Sequence, residues 1–239
     1  MVLVVHGSRD PRAAAATHAL VRAVAAARAG VDVRASFLDH TAPAPGEVLR
    51  AVEAAGHTRA TVVPLLLTAA FHTRVDVPAV LAEARAAGLR LPVLVSDALG
   101  PVGDAVPPLL VAGLRRRLAE SGAVYDAVVV AAAGTRDSAA RATVVAAAAA
   151  LGAALGVPCE VAYASAAPPT AGAAVARLRA RGAQRVAVAA YFLAPGRLYD
   201  VAVDSALAAG AVGVSAPLTD APELARLVLA RADAALDGP

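Results

Sequence analysis

Short aliphatic runs alternate with longer alanine-rich stretches along this chain, and the alternation predicts strands and helices in turn. Val2–Val5 reads as a first strand. It runs into His6-Gly7-Ser8-Arg9-Asp10-Pro11, where Asp10 and Pro11 suit the N-cap and first turn of a helix. That helix reaches about Ala29 and stops at Gly30. Asp32–Leu38 is a second strand, followed by the loop Thr41–Gly46 and a helix ending near Gly56. Ala60–Leu67 is an unbroken apolar run, as expected of a strand covered on both faces. A helix from near Pro78 to Gly88, a strand over Pro92–Ser96 and a helix over Asp104–Glu120 follow. Strands and helices in alternation imply parallel sheets with right-handed crossovers.

The pattern then restarts. Asp126–Ala132 is a strand that runs into Ala133-Gly134-Thr135-Arg136-Asp137, which repeats the form of His6-Gly7-Ser8-Arg9-Asp10 at an offset of 127 residues. At the same offset Pro158–Ala164 aligns with the second strand and Arg185–Leu193 with the third. The chain is therefore an internal duplication. Two flavodoxin-like parallel-sheet halves, 1–122 and 123–239, are expected to face each other across a central cleft.

Composition narrows the classes of function. With 239 residues, 59% of them hydrophobic, the chain can bury a large core. All 22 basic residues are arginine, and the formal charge is only +3, so a high isoelectric point here reflects Arg in place of Lys. Aromatic residues make up 3% and no basic block stands out, which argues against nucleic acid as a partner. The single cysteine, Cys159, excludes an internal disulfide and a cysteine cluster for zinc or iron–sulfur. The longest apolar run, Ala142–Val157, is too short for a bilayer span and reads as a core-facing helix. The N-terminus enters a strand directly, with no signal segment, so a cytoplasmic protein away from membranes is expected.

The candidate chemistry lies at strand ends. In a sheet ordered 2-1-3-4, ligands bind outside the carboxyl ends of the strands beside strand 1. His6 follows strand 1, Asp39 follows strand 2 and His72 lies in the loop after strand 3. Neighbouring strands are about 4.8 Å apart, so all three side chains can converge on one point. Two imidazoles and a carboxylate suit a divalent first-row metal with open positions. The duplication supplies an internal control. At the offset of 127, His6 becomes Ala133, Asp39 becomes Ala166 and His72 becomes Tyr199, whereas the Gly and the Arg-Asp pair persist. The persistent residues read as architecture and the lost ones as chemistry. His40 could stand in for Asp39, although its side chain is expected to point the other way. His18 and His57 read as surface residues, and Arg115-Arg116-Arg117 as a solvated helix face. Arg9 and Arg136 either pair with Asp10 and Asp137 or grip anions. Arg74 and Arg197, in corresponding loops, are the better candidates for carboxylate contacts.

These residues resemble the class II tetrapyrrole chelatases, specifically the sirohydrochlorin cobalt and iron chelatases. The likeness is carried by His6-Gly7-Ser8-Arg9-Asp10-Pro11, by Phe37-Leu38-Asp39 before a proline-containing turn, and by Pro64-Leu65-Leu66-Leu67 with His72 and Val75-Asp76-Val77-Pro78. It covers both halves. It implies a lyase-type metal chelatase of siroheme or cobalamin biosynthesis, with Co²⁺ or Fe²⁺ (or Ni²⁺) as substrate and a tetrapyrrole as the other. It implies His6 and His72 as metal-binding and catalytic residues, with Asp39 at the position where the family usually has Glu. Leu66, Leu67 and Phe71 would cover the macrocycle face, and Arg9, Arg74 and Arg197 would meet its acidic side chains. The chain carries no Gly-x4-Gly-Lys phosphate loop, so no ATP is expected, and no His-rich tail or iron–sulfur segment. A duplicated chain should work as a monomer. The alternatives are a non-catalytic tetrapyrrole or metal carrier on the same fold, and a histidine phosphatase, for which the arginine before His6 is missing.

Overall fold

The computed structural model describes residues 1–68, 76–103 and 105–237. The elements are β1 (Val2–Val5), α1 (Pro11–Ala27), β2 (Arg34–Phe37), α2 (Pro45–Ala54), β3 (Ala60–Pro64), α3 (Asp76–Ala86), β4 (Val93–Val95) and α4 (Pro108–Glu120). The series then repeats as β5 (Ala127–Ala132), α5 (Ser138–Leu155), β6 (Cys159–Tyr163), α6 (Ala171–Ala180), β7 (Val186–Tyr191), α7 (Arg197–Ala208), β8 (Gly213–Val214) and α8 (Pro222–Asp237). Two four-stranded parallel sheets result, ordered β2-β1-β3-β4 and β6-β5-β7-β8.

Several elements are shorter than their apolar runs. β3 stops at Pro64 because the Leu66 N–H turns back onto the Pro64 carbonyl at 3.0 Å. The Leu66 carbonyl then accepts from Leu99 and Gly100 instead of from a strand neighbour. β2 starts at Arg34 rather than Asp32, since its ladder with β1 opens at the Val2–Arg34 pair and the Asp32 carbonyl accepts from the Met1 amino group instead. α4 starts at Pro108 rather than Asp104, because the residue before a proline is pushed out of helical conformation and Pro107-Pro108 stand in succession.

Both sheets are covered on both faces. Val2, Val4 and Val62 turn outward onto Val48, Leu49 and Val52 of α2 and Leu81 of α3. Ala127, Val129 and Ala131 do the same against α6 and α7. The inward faces, Leu3 and Val63 on one sheet and Val128 and Val130 on the other, share one continuous core with α1, α4, α5 and α8. α5 is long and apolar enough to cross a membrane by length and composition, but Val144, Ala147, Ala148 and Leu151 bury it against this core.

The central layer exchanges its helices. α4 follows the first sheet in sequence yet packs on β7 and α5 of the second half. α8 follows the second sheet and packs on α1, β3 and β4 of the first. The arginine triplet expected on a solvated face holds this joint. Arg116 makes a two-pronged pair with the buried Glu223 carboxylate, at 2.8 Å for each bond. The largely buried Arg117 reaches Glu120, Asp220 and the Leu218 carbonyl. Only Arg115 of the three lacks an ion pair among the described residues.

The Arg116 hydrogen bonds hold the Glu223 carboxyl below the usual carboxylate range, against the opposing effect of burial. Its folded value is thus the lower one. The stabilisation is full above the unfolded value of about 4.3 and fades as the pH falls through the folded one. Glu223→Gln is therefore expected to cost about 1–3 kcal/mol at pH 7. Its urea midpoint should converge on that of the parent chain as the pH approaches 3, and urea titrations across that range check both points.

Candidate active site

His6 leaves β1 at the carboxyl edge of the first sheet, exposed at the mouth of the cleft. Its carbonyl accepts the Asp39 N–H at 2.8 Å, and the Thr41 hydroxyl donates to the Ser8 carbonyl at 3.2 Å. The loops after β1 and β2 are thereby stitched together. Gly7 makes the close approach possible: it sits at φ +96°, and a methyl group there would overlap the Asp39 carbonyl. Ser8 accepts the Asp10 N–H, and the Asp10 carboxylate caps the Arg12 N–H at 2.9 Å.

The second half copies this turn without its histidine. Gly134 sits at φ +91°, a methyl group there would overlap the Ser165 carbonyl, Thr135 accepts the Asp137 N–H, and Asp137 caps α5. The matching fixes the repeat register. The offset is 127 at the first strand but 126 at the second and third, because Val2 pairs with Arg34 and Val62 where Val129 pairs with Glu160 and Val188. The counterpart of Asp39 is therefore Ser165, whose N–H donates to the Ala133 carbonyl, and not Ala166. One residue fewer joins the first two strands of the second half, which a constant offset cannot capture. Neither Ala133 nor Ser165 is a metal ligand of the histidine or carboxylate type, so the contrast between the halves stands.

Asp39 is exposed, with 59% of its side chain accessible. Its Oδ1 accepts the His40 N–H at 2.7 Å, and its Oδ2 lies 3.4 Å from His40 Nε2. His40 does not point away as expected. It adopts φ +61°, and its ring lies edge-on to that of His6 with the centroids 6.5 Å apart. The alternation of side chains along a strand no longer applies once the backbone enters this left-handed turn. His72, Phe71 and Arg74 lie outside the described residues. Among the described residues no three His, Cys, Asp or Glu side chains close on one metal position, although His6, Asp39 and His40 supply the nitrogen and oxygen donors such an ion takes.

Arg9 and Arg197 are exposed at this edge and make no ion pair among the described residues. The partner of Asp10 is Arg12, which also reaches Asp200 at 2.6 Å and so clasps the start of α1 to the start of α7 in the other half. Sequence reasoning missed this clasp, since Arg12 and Asp200 are 188 residues apart and share no repeat position. The other surface histidines are tied locally: His18 stacks edge-on to Phe37 and His57 meets Asp32.

Two adjoining cavities line the cleft. The first, about 160 Å³, runs from His6 and Gly7 past Leu20 and Phe37 to Leu193 of the other half. The second, about 200 Å³, lies at the matching place in the second half, with Ala133 where the first has His6 and Tyr163 where it has Phe37. Leu65 and Leu193 belong to both. The buried Tyr191 hydroxyl donates to the Leu67 carbonyl at 2.8 Å and joins the halves, and burial pushes its pKa up.

The architecture is the duplicated chelatase-like α/β fold, with ligand-type residues at one strand edge of one half only. SirB from Bacillus subtilis, solved with Fe³⁺, superposes with a TM-score of 0.80 at 22% identity, over 96% of this chain and 92% of that one. The sirohydrochlorin chelatase SirB of Bacillus subtilis subspecies spizizenii, in complex with cobalt, gives 0.79 at 20% identity, over 100% and 95%. CbiX, the terminal enzyme of siroheme biosynthesis in denitrifying bacteria, gives 0.63 at 21% identity, over 96% and 97%. No curated protein matches the sequence. The model of the CbiX family matches twice, over residues 1–121 and 127–235, and the chain belongs to that family.

Proposed function

We propose that the protein inserts a divalent metal, Co²⁺ or Fe²⁺, into sirohydrochlorin or a close relative, without ATP, in siroheme or cobalamin biosynthesis. One observation carries the reading: of two matched strand edges facing the cleft, only the first keeps an imidazole, His6, beside a carboxylate, Asp39. Membership of the CbiX family and the cobalt and Fe³⁺ held by the SirB structures support it.

On this reading His6, Asp39 and, from the sequence, His72 hold the ion as substrate on one side of the cleft. The macrocycle lies against Leu66 and Leu67, with Phe71 from the loop beyond them. Its acidic side chains meet Arg9, Arg74 and Arg197, and fork-shaped guanidinium groups suit such carboxylates. Insertion releases two pyrrole protons for each M²⁺ gained. An imidazole displaced from the ion by the ring nitrogens can take up one of them, and the displaced carboxylate or solvent the other. The catalytic unit is a monomer, since the second half supplies the other wall.

The test is turnover. Sirohydrochlorin in excess with Co²⁺, and separately with Fe²⁺, is expected to be converted in many equivalents per chain above the spontaneous rate. A spectral change that stops at one equivalent would instead mark a carrier.

A further inference from the structure

We propose that His40 is a ligand for the incoming metal ion, held for that task by Asp39 at the rim of the site. This rests on the reading of His6 and Asp39 as part of a metal site and assigns a further donor to it. The backbone turn itself is architectural, because Ala166 takes the same left-handed conformation, φ +65° against +61° for His40, at the matching place in the second half. What differs is the side chain. In the second half the turn carries Ser165-Ala166; in the first it carries Asp39-His40 and turns the imidazole toward His6.

The Asp39 carboxylate reaches His40 through one hydrogen bond and one ion-pair contact, and keeps lone pairs for an ion. Oδ1 accepts the His40 backbone N–H at 2.7 Å, and Oδ2 faces His40 Nε2 at 3.4 Å. A carboxylate placed at one ring nitrogen fixes the tautomer and leaves the other nitrogen to bind metal, the arrangement found behind most metal-binding histidines. Here Nε2 lies 3.4 Å from the carboxylate, close enough to become such a bond with a small ring rotation, which leaves Nδ1 as the nitrogen for the ion. Bonds of about 2 Å from one ion to each of two imidazoles bring their ring centres to roughly 5–6 Å. The 6.5 Å between His6 and His40 therefore closes onto a shared ion with a side-chain adjustment of about 1 Å. Position agrees: His6, Asp39 and His40 are all exposed at the same sheet edge, so a hydrated ion can reach all three together.

The experiment uses Co²⁺ alone with the full chain, read by calorimetry and by the visible d–d absorption of the bound ion. His40→Asn retains a residue at ease in the left-handed region, and His40→Gly provides a second variant with no strain there. Both are expected to bind Co²⁺ about 10–100-fold more weakly and to shift the d–d bands. Asp39→Asn should weaken binding as well. In turnover assays the KM for Co²⁺ should rise while the KM for sirohydrochlorin stays fixed. In an Asp39→Glu, His40→Asn chain the longer carboxylate, freed of its partner, should recover part of the lost affinity. Parent-like Co²⁺ affinity and spectrum in both His40 variants would overturn the proposal. His6→Ala separates that failure from failure of the underlying reading: if it abolishes Co²⁺ binding while the His40 variants do not, the site stands without His40. If His6→Ala also binds like the parent, both readings fall.

Discussion

His6→Ala is expected to lower turnover of sirohydrochlorin with Co²⁺ by about 10²-fold or more, while the melting temperature stays within about 2 °C of the parent. The two halves of this expectation have separate causes. His6 is the imidazole that only one of the two strand edges carries, so its loss removes a donor that nothing in the second half replaces. It is also exposed, and its backbone carbonyl, which accepts the Asp39 N–H, is kept by alanine. Ala133→His provides the reverse control. It sets an imidazole at the matching edge of the second half, but Ser165-Ala166 stand where Asp39-His40 would be, so no second site should arise. Stopped-time assays of the macrocycle absorption, with thermal melts on the same samples, check both. An unchanged rate in His6→Ala would place the chemistry elsewhere in the cleft.

The largest expected effects on stability are at Gly7 and Gly134. Each sits in the left-handed region, and at each a methyl group would overlap the carbonyl of a neighbouring loop, Asp39 in one case and Ser165 in the other. Gly7→Ala and Gly134→Ala should therefore each cost about 3 kcal/mol, and by similar amounts, because the repeat has kept the same geometry twice. Their functional effects should diverge. Gly7→Ala pushes the Asp39 loop away from His6 and weakens Co²⁺ binding in whatever folded protein remains. Gly134→Ala disturbs only the second cavity and leaves Co²⁺ affinity intact. Urea midpoints compared with Co²⁺ titrations check this pair; equal Co²⁺ affinities in the two variants would contradict it.

Much of this was legible in the sequence, for identifiable reasons. Strand and helix order follows from aliphatic runs and glycine stops, and the duplication follows from two copies of one turn, whose Gly, Asp cap and Ser or Thr have fixed backbone duties. The position of His6 followed from the rule that strand ends carry ligands, and the structure places it there. The fine register did not follow, since a one-residue difference between repeats leaves no mark in an alanine-rich chain. The Asp39–His40 pairing was hidden because it depends on a left-handed residue, and histidine gives little warning of that conformation. The Arg12 clasp and the Arg116–Glu223 joint were hidden by distance along the chain. His72, Phe71 and Arg74 keep their sequence-based roles as proposals, lying outside the described residues.

The exchange of α4 and α8 has a consequence for how the molecule moves and unfolds. Each half lends its last helix to the other, so neither sheet has a complete covering of its own. Swinging the halves apart about the join near Ser121 would strip apolar faces from both sheets at once, a far larger penalty than ordinary hinge motion between separate domains carries. The cleft floor is thus preorganised, and substrate entry falls to the loops at its rim. For the same reason the halves, although copies, should melt as one all-or-none unit and not as two successive domains.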